Sequence, residues 1–316
     1  MLMYPDKVKL VEVGPRDGLQ NESSEVSTAT KIAFIDRLTD TGLETIETTS
    51  FVSPKWIPQL ADATEVFNGI HKKSGVHYPV LVPNEKGMQR AIDAGAAEVS
   101  IFTAASETFN QKNINASIKE SLERFAPVMD MAREHGIKVR GYVSCVIGCP
   151  YEGDIDPTQV AAVAEDLYAM GCYEISLGDT IGVGTPRRAR QMVYACARRV
   201  PMERLAIHFH DTRNQALANI LACIDMGIAT VDSSVSGLGG CPYADGAAGN
   251  VATEDVVYML HGMEIDTGID LRKLLETAKW INAEIGRVPT SKLAKLDIDN
   301  ALDATKRPTK KSSTQD

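Results

Sequence analysis

A short junction recurs four times along this chain and constrains its fold more than any other feature. In each copy a helical pattern ends at a glycine, and an apolar, β-branched segment follows within three residues. The four copies read AGAAEVSI, HGIKVRGY, MGCYEISL and MGIATVDS. Glycine suits the left-handed residue that often ends a helix. Repeated helix–glycine–strand junctions indicate alternating β and α units, which build a parallel sheet.

The number of these units predicts the fold. Strand-like segments begin as VKLVEV at Val8, TIETTS at Thr45, YPVLV at Tyr78, EVSIFT at Glu98, IKVRGYVS at Ile137, EISLGD at Glu174, AIHFH at Ala206 and TVDSSVS at Thr230. Helical patterns between them cover Thr28–Thr41, Asn84–Ala94, Ser117–His135, Thr158–Met170, Pro186–Arg199, Asn214–Met226 and Asn250–Leu260. About eight βα units favour an α/β fold of the (β/α)8 TIM-barrel type over a doubly wound sheet.

The end of the chain lies beyond the eighth unit. A further helix is predicted near Leu271–Ile285, so we expect a single barrel domain with a C-terminal helix over residues 1–290. Residues 291–316 form a C-terminal tail, and its polar end from Lys306 onward is expected to be disordered.

Composition excludes several classes of protein. The chain has 316 residues, 44% of them hydrophobic, which is ample for a large core. A formal net charge of -9 argues against nucleic acid as the main partner. No run approaches the roughly 18 apolar residues of a membrane span, and the N-terminus has no targeting pattern. The six cysteines lack zinc-finger spacing, as expected of a cytoplasmic protein with reduced thiols.

Polar residues cluster where the predicted strands end, which is where barrel enzymes carry their active sites. His208 and His210 are two residues apart on a strand, so their side chains share a face and could bind a metal. Asp17 and Asn250 follow the first and last strands and offer oxygen ligands. A mixed set of nitrogen and oxygen donors without a thiolate suits Mg²⁺, Mn²⁺ or Zn²⁺.

Three further residues are candidates for chemistry. Arg16 either forms a salt bridge with its neighbour or directs its guanidinium at an anion or developing oxyanion. Glu47 either orients Arg16 or a metal ligand, or is a carboxylate with structural partners only. Cys241 lies in the glycine-rich segment SGLGGCPYADGAAGN, where an exposed thiol is more often functional than structural.

Six stretches together resemble the 3-hydroxy-3-methylglutaryl-CoA (HMG-CoA) lyase family. They are VEVGPRDGLQNE, IETTSFVSPKWIPQLAD, RGYVSCVIGCPYEG, GCYEISLGDTIGVGTP, HFHDT and SVSGLGGCPYADGAAGNVATEDVVYML. The likeness runs from about residue 8 to about residue 285. The glycine-rich loop with its cysteine is the most specific element.

The resemblance implies a TIM-barrel lyase that acts on an acyl-CoA with Mg²⁺ or Mn²⁺ and forms a homodimer. The metal ligands it implies are Asp17, His208, His210 and Asn250. Arg16, Gln20, Ser50 and Ser176 would contact the substrate, and Glu47 and Asp179 would support the ligands. Cys241 would be the catalytic thiol, and either Asp17 or His208 would be the base.

Other activities remain open at this point. A lyase for a different 3-hydroxy-3-alkylglutaryl-CoA would keep the same reactive residues and differ in the pocket walls. An acyl-CoA condensing synthase and a non-enzymatic metal-binding protein are less favoured alternatives. After HDT, this chain has Arg213-Asn214 where the family often has Tyr-Gly. We expect the added cation to alter either the substrate pocket or the packing of that loop.

Overall fold

A computed structural model describes residues 4–20, 22, 24–240 and 249–303 of the chain. Eight parallel strands of this part form a barrel with helices outside it. They are β1 (Lys9–Glu12), β2 (Thr45–Ile46 and Thr49–Ser50), β3 (Val80–Leu81), β4 (Glu98–Ala104), β5 (Lys138–Ser144), β6 (Glu174–Asp179), β7 (Leu205–Phe209) and β8 (Thr230–Ser233). The predicted (β/α)8 barrel is therefore confirmed.

The second strand closes the barrel through its two short segments. Thr45–Ile46 pairs with β1, and Thr49–Ser50 pairs with β3. Between the segments, the Glu47 amide donates to the Glu12 carbonyl at 2.8 Å, and the Thr48 amide donates to the Pro79 carbonyl at 3.0 Å. The backbone thus bonds alternately to both neighbouring strands. On the far side β1 pairs with β8, so the ring is complete.

Eleven α-helices are present in the described residues. They are α1 (Thr28–Thr39), α2 (Ala63–Gly69), α3 (Glu85–Asp93), α4 (Glu107–Ile114), α5 (Ile118–Glu134), α6 (Pro157–Met170), α7 (Pro186–Ala197), α8 (Ala216–Ile224), α9 (Thr253–Gly262), α10 (Leu271–Ile285) and α11 (Ile298–Asp303). Every predicted helix is found, with ends shifted by at most three residues. The short helices α2, α4 and α11 were not predicted, because a few turns give little periodic signal.

The glycine junctions behave as the sequence indicated. Gly95, Gly136, Gly171 and Gly227 have φ angles of 77°, 66°, 108° and 106°, all in the left-handed region that favours glycine. Each therefore lets the chain leave a helix and turn back into the next strand without a side-chain clash.

The first part of the tail packs against the barrel. Leu293 and Ala294 are buried in the core, and Ile298 and Leu302 pack against it. Ser291 Oγ also donates to Asp255 Oδ1 at 3.0 Å. Apolar burial therefore joins this segment to the barrel. The segment predicted to be disordered, from Lys306, lies outside the described residues.

Two kinds of core surround the strands. Apolar side chains fill the space between barrel and helices. Inside the barrel, by contrast, lie the charged residues Arg140, Glu174 and Asp232, each at most 5% exposed. Across the described ranges, no helix is both long and apolar enough to cross a membrane.

Candidate metal and catalytic site

Three of the predicted metal ligands meet at the carboxyl ends of the strands. Asp17 lies in the tight helical turn Gly14–Gly18 after β1, while His208 and His210 lie on and just beyond β7. One ligand atom from each lies within 4.8 Å of the other two. An oxygen donor and two imidazoles at such spacing can bind one divalent cation.

Asn250, the fourth predicted ligand, lies beside them because of a change in local structure. The helix predicted from Asn250 begins at Thr253 instead, and Asn250 is in extended backbone that bridges to His210. Its Nδ2 donates to Asp17 Oδ2 at 2.8 Å and to the Leu238 carbonyl at 3.1 Å. Ligation through its Oδ1 stays a prediction.

The charges around the site favour metal-binding forms of its side chains. Burial opposes ionisation of Asp17, but Arg16 and the two histidines outweigh it and lower the pKa to about 2. Burial, and next the neighbouring His208, lower the pKa of His210 to about 4. The Nδ1 atom of His210 is buried and makes no hydrogen bond to any described residue. An ionised carboxylate beside a neutral imidazole fits a cation site.

Arg16 is held rigidly at the edge of this site. Its Nε donates to Glu47 Oε2 at 2.5 Å, and its Nη1 donates to Asp17 Oδ1 at 2.7 Å. Burial opposes its charge, but Glu47 and Asp17 raise its pKa above the usual value. The salt bridge between Arg16 and its neighbour is therefore present, and the same guanidinium lines the cavity, whereas its contact with an anion stays a prediction. Glu47 is hydrogen-bonded to Arg16, as one of the alternatives for it requires, and its role in orienting Arg16 stays a prediction.

Glu12 was missed by the sequence analysis and joins two parts of the site. Its carboxylate is fully buried and accepts hydrogen bonds from the Gly14 and Val235 amides and from Thr253 Oγ1. Burial raises the pKa of Glu12 to about 7, although these donors act in the opposite direction. The bonds tie the turn that carries Arg16 to the start of the glycine-rich segment.

Tyr142 on β5 is a second residue that the sequence analysis missed. Its ring lies between two guanidinium groups, with Arg16 at 5.5 Å and Arg140 at 5.0 Å from the ring centre. The ring also meets the His208 imidazole edge-on, at 6.1 Å between centres. Its hydroxyl is buried without a hydrogen-bond partner in the described residues. The sequence did contain a signal for Tyr142, because an arginine and a tyrosine are unusual in an otherwise apolar strand segment such as IKVRGYVS.

The predicted substrate contacts divide into two groups. A cavity of about 1120 Å³ opens over the site and is lined by Arg16, Asp17, Gln20, His208 and His210. Gln20 Oε1 is buried without a hydrogen-bond partner in the described residues, and its contact with the substrate stays a prediction.

Ser50 and Ser176 are fully buried and do not line this cavity. Ser50 Oγ donates to the Leu81 carbonyl at 3.4 Å, and Ser176 Oγ donates to Asp232 Oδ2 at 2.7 Å. Both serines are thus hydrogen-bonded within the barrel, beside Leu81 and Tyr142, which line the cavity, and their contact with the substrate stays a prediction.

Asp179 is bonded to a loop through its side chain and to His210 through its backbone carbonyl, which accepts from the His210 amide at 3.4 Å, and its support of the metal ligands stays a prediction. Its Oδ2 accepts from the Gly184 amide at 2.7 Å, and its Oδ1 accepts from the Val183 amide at 3.2 Å. Cys241 lies outside the described residues. Its sequence neighbour Gly240 lines the cavity, and Asn250 beyond the segment lies at the site.

Arg213 and Asn214, which stand where the family often has Tyr-Gly, contribute to the packing of their loop. Arg213 Nη1 donates to the carbonyls of Ile181 and Gly182 at 2.8 and 3.2 Å, which links the loops after β7 and β6. Asn214 has a φ of 58°, a conformation that glycine adopts freely and asparagine tolerates. Arg213 is absent from the cavity lining.

Comparison with known proteins shows the family of this chain. A family model described as HMGL-like matches residues 7–281. The chain belongs to this family. A mitochondrial hydroxymethylglutaryl-CoA lyase of Gallus gallus is 61% identical over 291 residues, which cover 92% of this chain and 98% of that protein.

Two matches come from Pseudomonas aeruginosa. A 3-hydroxy-3-isohexenylglutaryl-CoA/hydroxymethylglutaryl-CoA lyase is 59% identical over 297 residues, covering 94% of this chain and 99% of that protein. The crystal structure of a hydroxymethylglutaryl-CoA lyase superposes with a TM-score of 0.92 at 57% identity, covering 96% of this chain and all of the other. The fold is thus shared over nearly the whole chain.

Proposed function

We propose that this HMGL-like protein cleaves (S)-3-hydroxy-3-methylglutaryl-CoA to acetoacetate and acetyl-CoA in a divalent-metal-dependent reaction. One observation carries the proposal. Asp17, His208 and His210 come within 4.8 Å of one another beneath a cavity that Arg16 also lines. Relatives named as hydroxymethylglutaryl-CoA lyases share 59–61% of their residues with this chain.

The metal would be held by Asp17, His208, His210 and, through its amide oxygen, Asn250. Mg²⁺ or Mn²⁺ suits this set, because carboxylate, amide and imidazole ligands are present without a thiolate. When bound, the ion supplies Lewis acidity that lowers the pKa of the substrate hydroxyl.

Arg16 would stabilise the negative charge that develops on the thioester oxygen when the C2–C3 bond breaks. Its two ion pairs prevent the guanidinium from swinging away, so little reorganisation is needed during reaction. A fixed donor at such a position contributes roughly 3 to 4 kcal/mol to transition-state stabilisation.

The base that removes the hydroxyl proton is either Asp17 or His208, and geometry favours Asp17. His208 directs Nδ1 at Asp232, 3.3 Å away, so that only Nε2 is presented to the site. One ring nitrogen cannot hold a cation and accept a proton at the same time. Each Asp17 oxygen accepts one hydrogen bond, Oδ1 from Arg16 and Oδ2 from Asn250, and keeps a second lone pair for the metal or for the proton.

Cys241 would protonate the carbon of the enolate. A thiol with an ordinary pKa of about 8.5 is mostly protonated at neutral pH and can give its proton to a far more basic carbanion. The segment that contains it follows Gly240 on the cavity wall, which supports this role.

A second candidate substrate is a 3-hydroxy-3-alkylglutaryl-CoA with a longer alkyl group. Leu81, Phe102, Phe125 and Val143 form an apolar part of the cavity wall, which could accept more hydrocarbon than a methyl group. The name of the Pseudomonas aeruginosa relative includes such a substrate. Activity across alkyl lengths tests this: a steep fall beyond methyl would limit the enzyme to HMG-CoA.

The decisive experiment is a product assay with HMG-CoA. After chelation, the enzyme should release no acetoacetate, and added Mg²⁺ or Mn²⁺ should restore equal amounts of acetoacetate and acetyl-CoA. Product formation that persists without a divalent ion would contradict the mechanism, and no products with either ion would contradict the substrate. The homodimer, the cytoplasmic location and the lack of a nucleic-acid partner stay predictions from the sequence.

A further inference from the structure

A buried carboxylate lies directly beneath one of the two metal-site histidines. Asp232 on β8 is 1% exposed, and its Oδ2 lies 3.3 Å from His208 Nδ1. The same oxygen accepts from Ser176 Oγ at 2.7 Å and from Arg140 Nη1 at 2.9 Å. Oδ1 accepts from Arg140 Nη2 at 2.7 Å. The Asp232 carboxylate therefore has one fixed orientation.

Arg140 binds the Asp232 carboxylate and is in turn bound by Glu174. It is fully buried, and its Nε donates to Glu174 Oε1 at 2.7 Å. Glu174 Oε2 accepts in turn from Lys9 Nζ at 2.6 Å. Arg140 donates to both Asp232 oxygens through its two Nη atoms, which is the geometry of a bidentate ion pair with a carboxylate. The carboxylate thus remains ionised and can only accept hydrogen bonds.

We propose that Asp232, clamped by Arg140, is a positioning residue that fixes His208 as the tautomer with its proton on Nδ1. Since an ionised carboxylate accepts but cannot donate, Nδ1 must carry the hydrogen. The unprotonated Nε2 then faces the site, 3.9 Å from Asp17 Oδ2. A carboxylate behind a metal-binding imidazole fixes the ring and increases its basicity. The inference rests on the metal site of the proposed function.

The two histidines differ in this respect. His210 Nδ1 is buried without a hydrogen-bond partner in the described residues, so no carboxylate sets its tautomer. Changing Asp232 should therefore affect His208 and leave His210 as it is. A general collapse of the site would alter both.

The test compares Asp232→Asn with a matched control, Glu174→Gln. Both remove one carboxylate from the same buried cluster, but only Asp232 touches His208.

Two measurements distinguish the variants. Histidine ¹⁵N NMR of the metal-free protein, with His208→Gln to assign the signal, should show protonated Nδ1 in the wild type and mixed tautomers in Asp232→Asn. Mn²⁺ affinity, measured by titration without substrate, should fall about 10–100-fold in Asp232→Asn. Glu174→Gln should keep the wild-type tautomer and an affinity within about twofold of wild type.

Several results would overturn the inference. One is a wild-type His208 that carries its proton on Nε2, which needs no variant and decides the matter even if Asp232→Asn fails to fold. Another is folded Asp232→Asn that binds Mn²⁺ as tightly as wild type. Equal losses in both variants would make the effect one of general packing. If wild type shows the expected tautomer but binds no Mn²⁺, the proposed metal site fails and the Asp232–His208 contact stands.

Discussion

Replacing Arg16 with methionine should damage activity and stability for two separate reasons. The variant loses the donor that would stabilise the developing enolate, which should lower kcat by about 10²–10³-fold. It also leaves Glu47, which is 0% exposed, without the group that donates to its Oε2. Breaking a buried ion pair by removing one partner costs about 3–5 kcal/mol of folding free energy.

A second variant separates these two effects. Arg16→Met combined with Glu47→Gln removes the charge that the single change leaves unpaired. The double variant should regain most of the lost stability, because no buried carboxylate remains without a partner. Its kcat should stay as low as that of the single variant, because neither carries the guanidinium.

The assays are the thermal unfolding midpoint and the initial rate of acetyl-CoA release at saturating Mg²⁺. The midpoint should drop by several degrees in Arg16→Met and recover in the double variant. If the double variant regains much of its kcat, the activity loss came from distortion around Glu47. A rise in KM with unchanged kcat would show that Arg16 serves only ground-state binding.

Four further predictions follow from the site and its loops. His210→Ala should weaken Mn²⁺ binding at least about tenfold in calorimetric titration, and unchanged affinity would remove His210 from the ligand set. Because the pKa of His210 is about 4 when folded against an ordinary 6.5, the unfolded chain takes up a proton first as the pH falls. The metal-free protein should therefore lose stability between pH 6.5 and 4, and His210→Gln should lose less over that range in urea unfolding. Cys241→Ala should lower kcat by about 10²-fold or more with Mn²⁺ affinity unchanged, and retained turnover would exclude the thiol from catalysis. At Asn214, whose φ is 58°, glycine should leave the unfolding midpoint nearly unchanged, whereas valine should destabilise by more than about 1 kcal/mol; equal effects would contradict the backbone argument.

The sequence predicted the features that depend only on residues close to one another in the chain. Glycines at 95, 136, 171 and 227 marked the returns into the strands, because their left-handed conformation is a property of single residues. The spacing of His208 and His210 placed both on one face, because alternation along a strand is also local. The proximity of Asp17 to them followed from the rule that all strand ends of a barrel share one rim.

The sequence did not predict how deep in the barrel a side chain lies, or which side chains meet across the barrel interior. The substrate contact of Ser176 stays a prediction, and its bond to Asp232 was not foreseen, because strand alternation gives the face on which a side chain lies but not the residue that it meets across the barrel. Asp232 and Arg140 are 92 positions apart in sequence, and their pairing follows only when β5 and β8 enclose the same interior. The sequence alone was thus enough to predict the barrel, the end of it that carries the site, and most of the candidate site residues. Only the tertiary structure decided which buried charges pair. A charged side chain that is removed from water is stable only next to an opposite charge, and folding brings that partner from a distant part of the sequence.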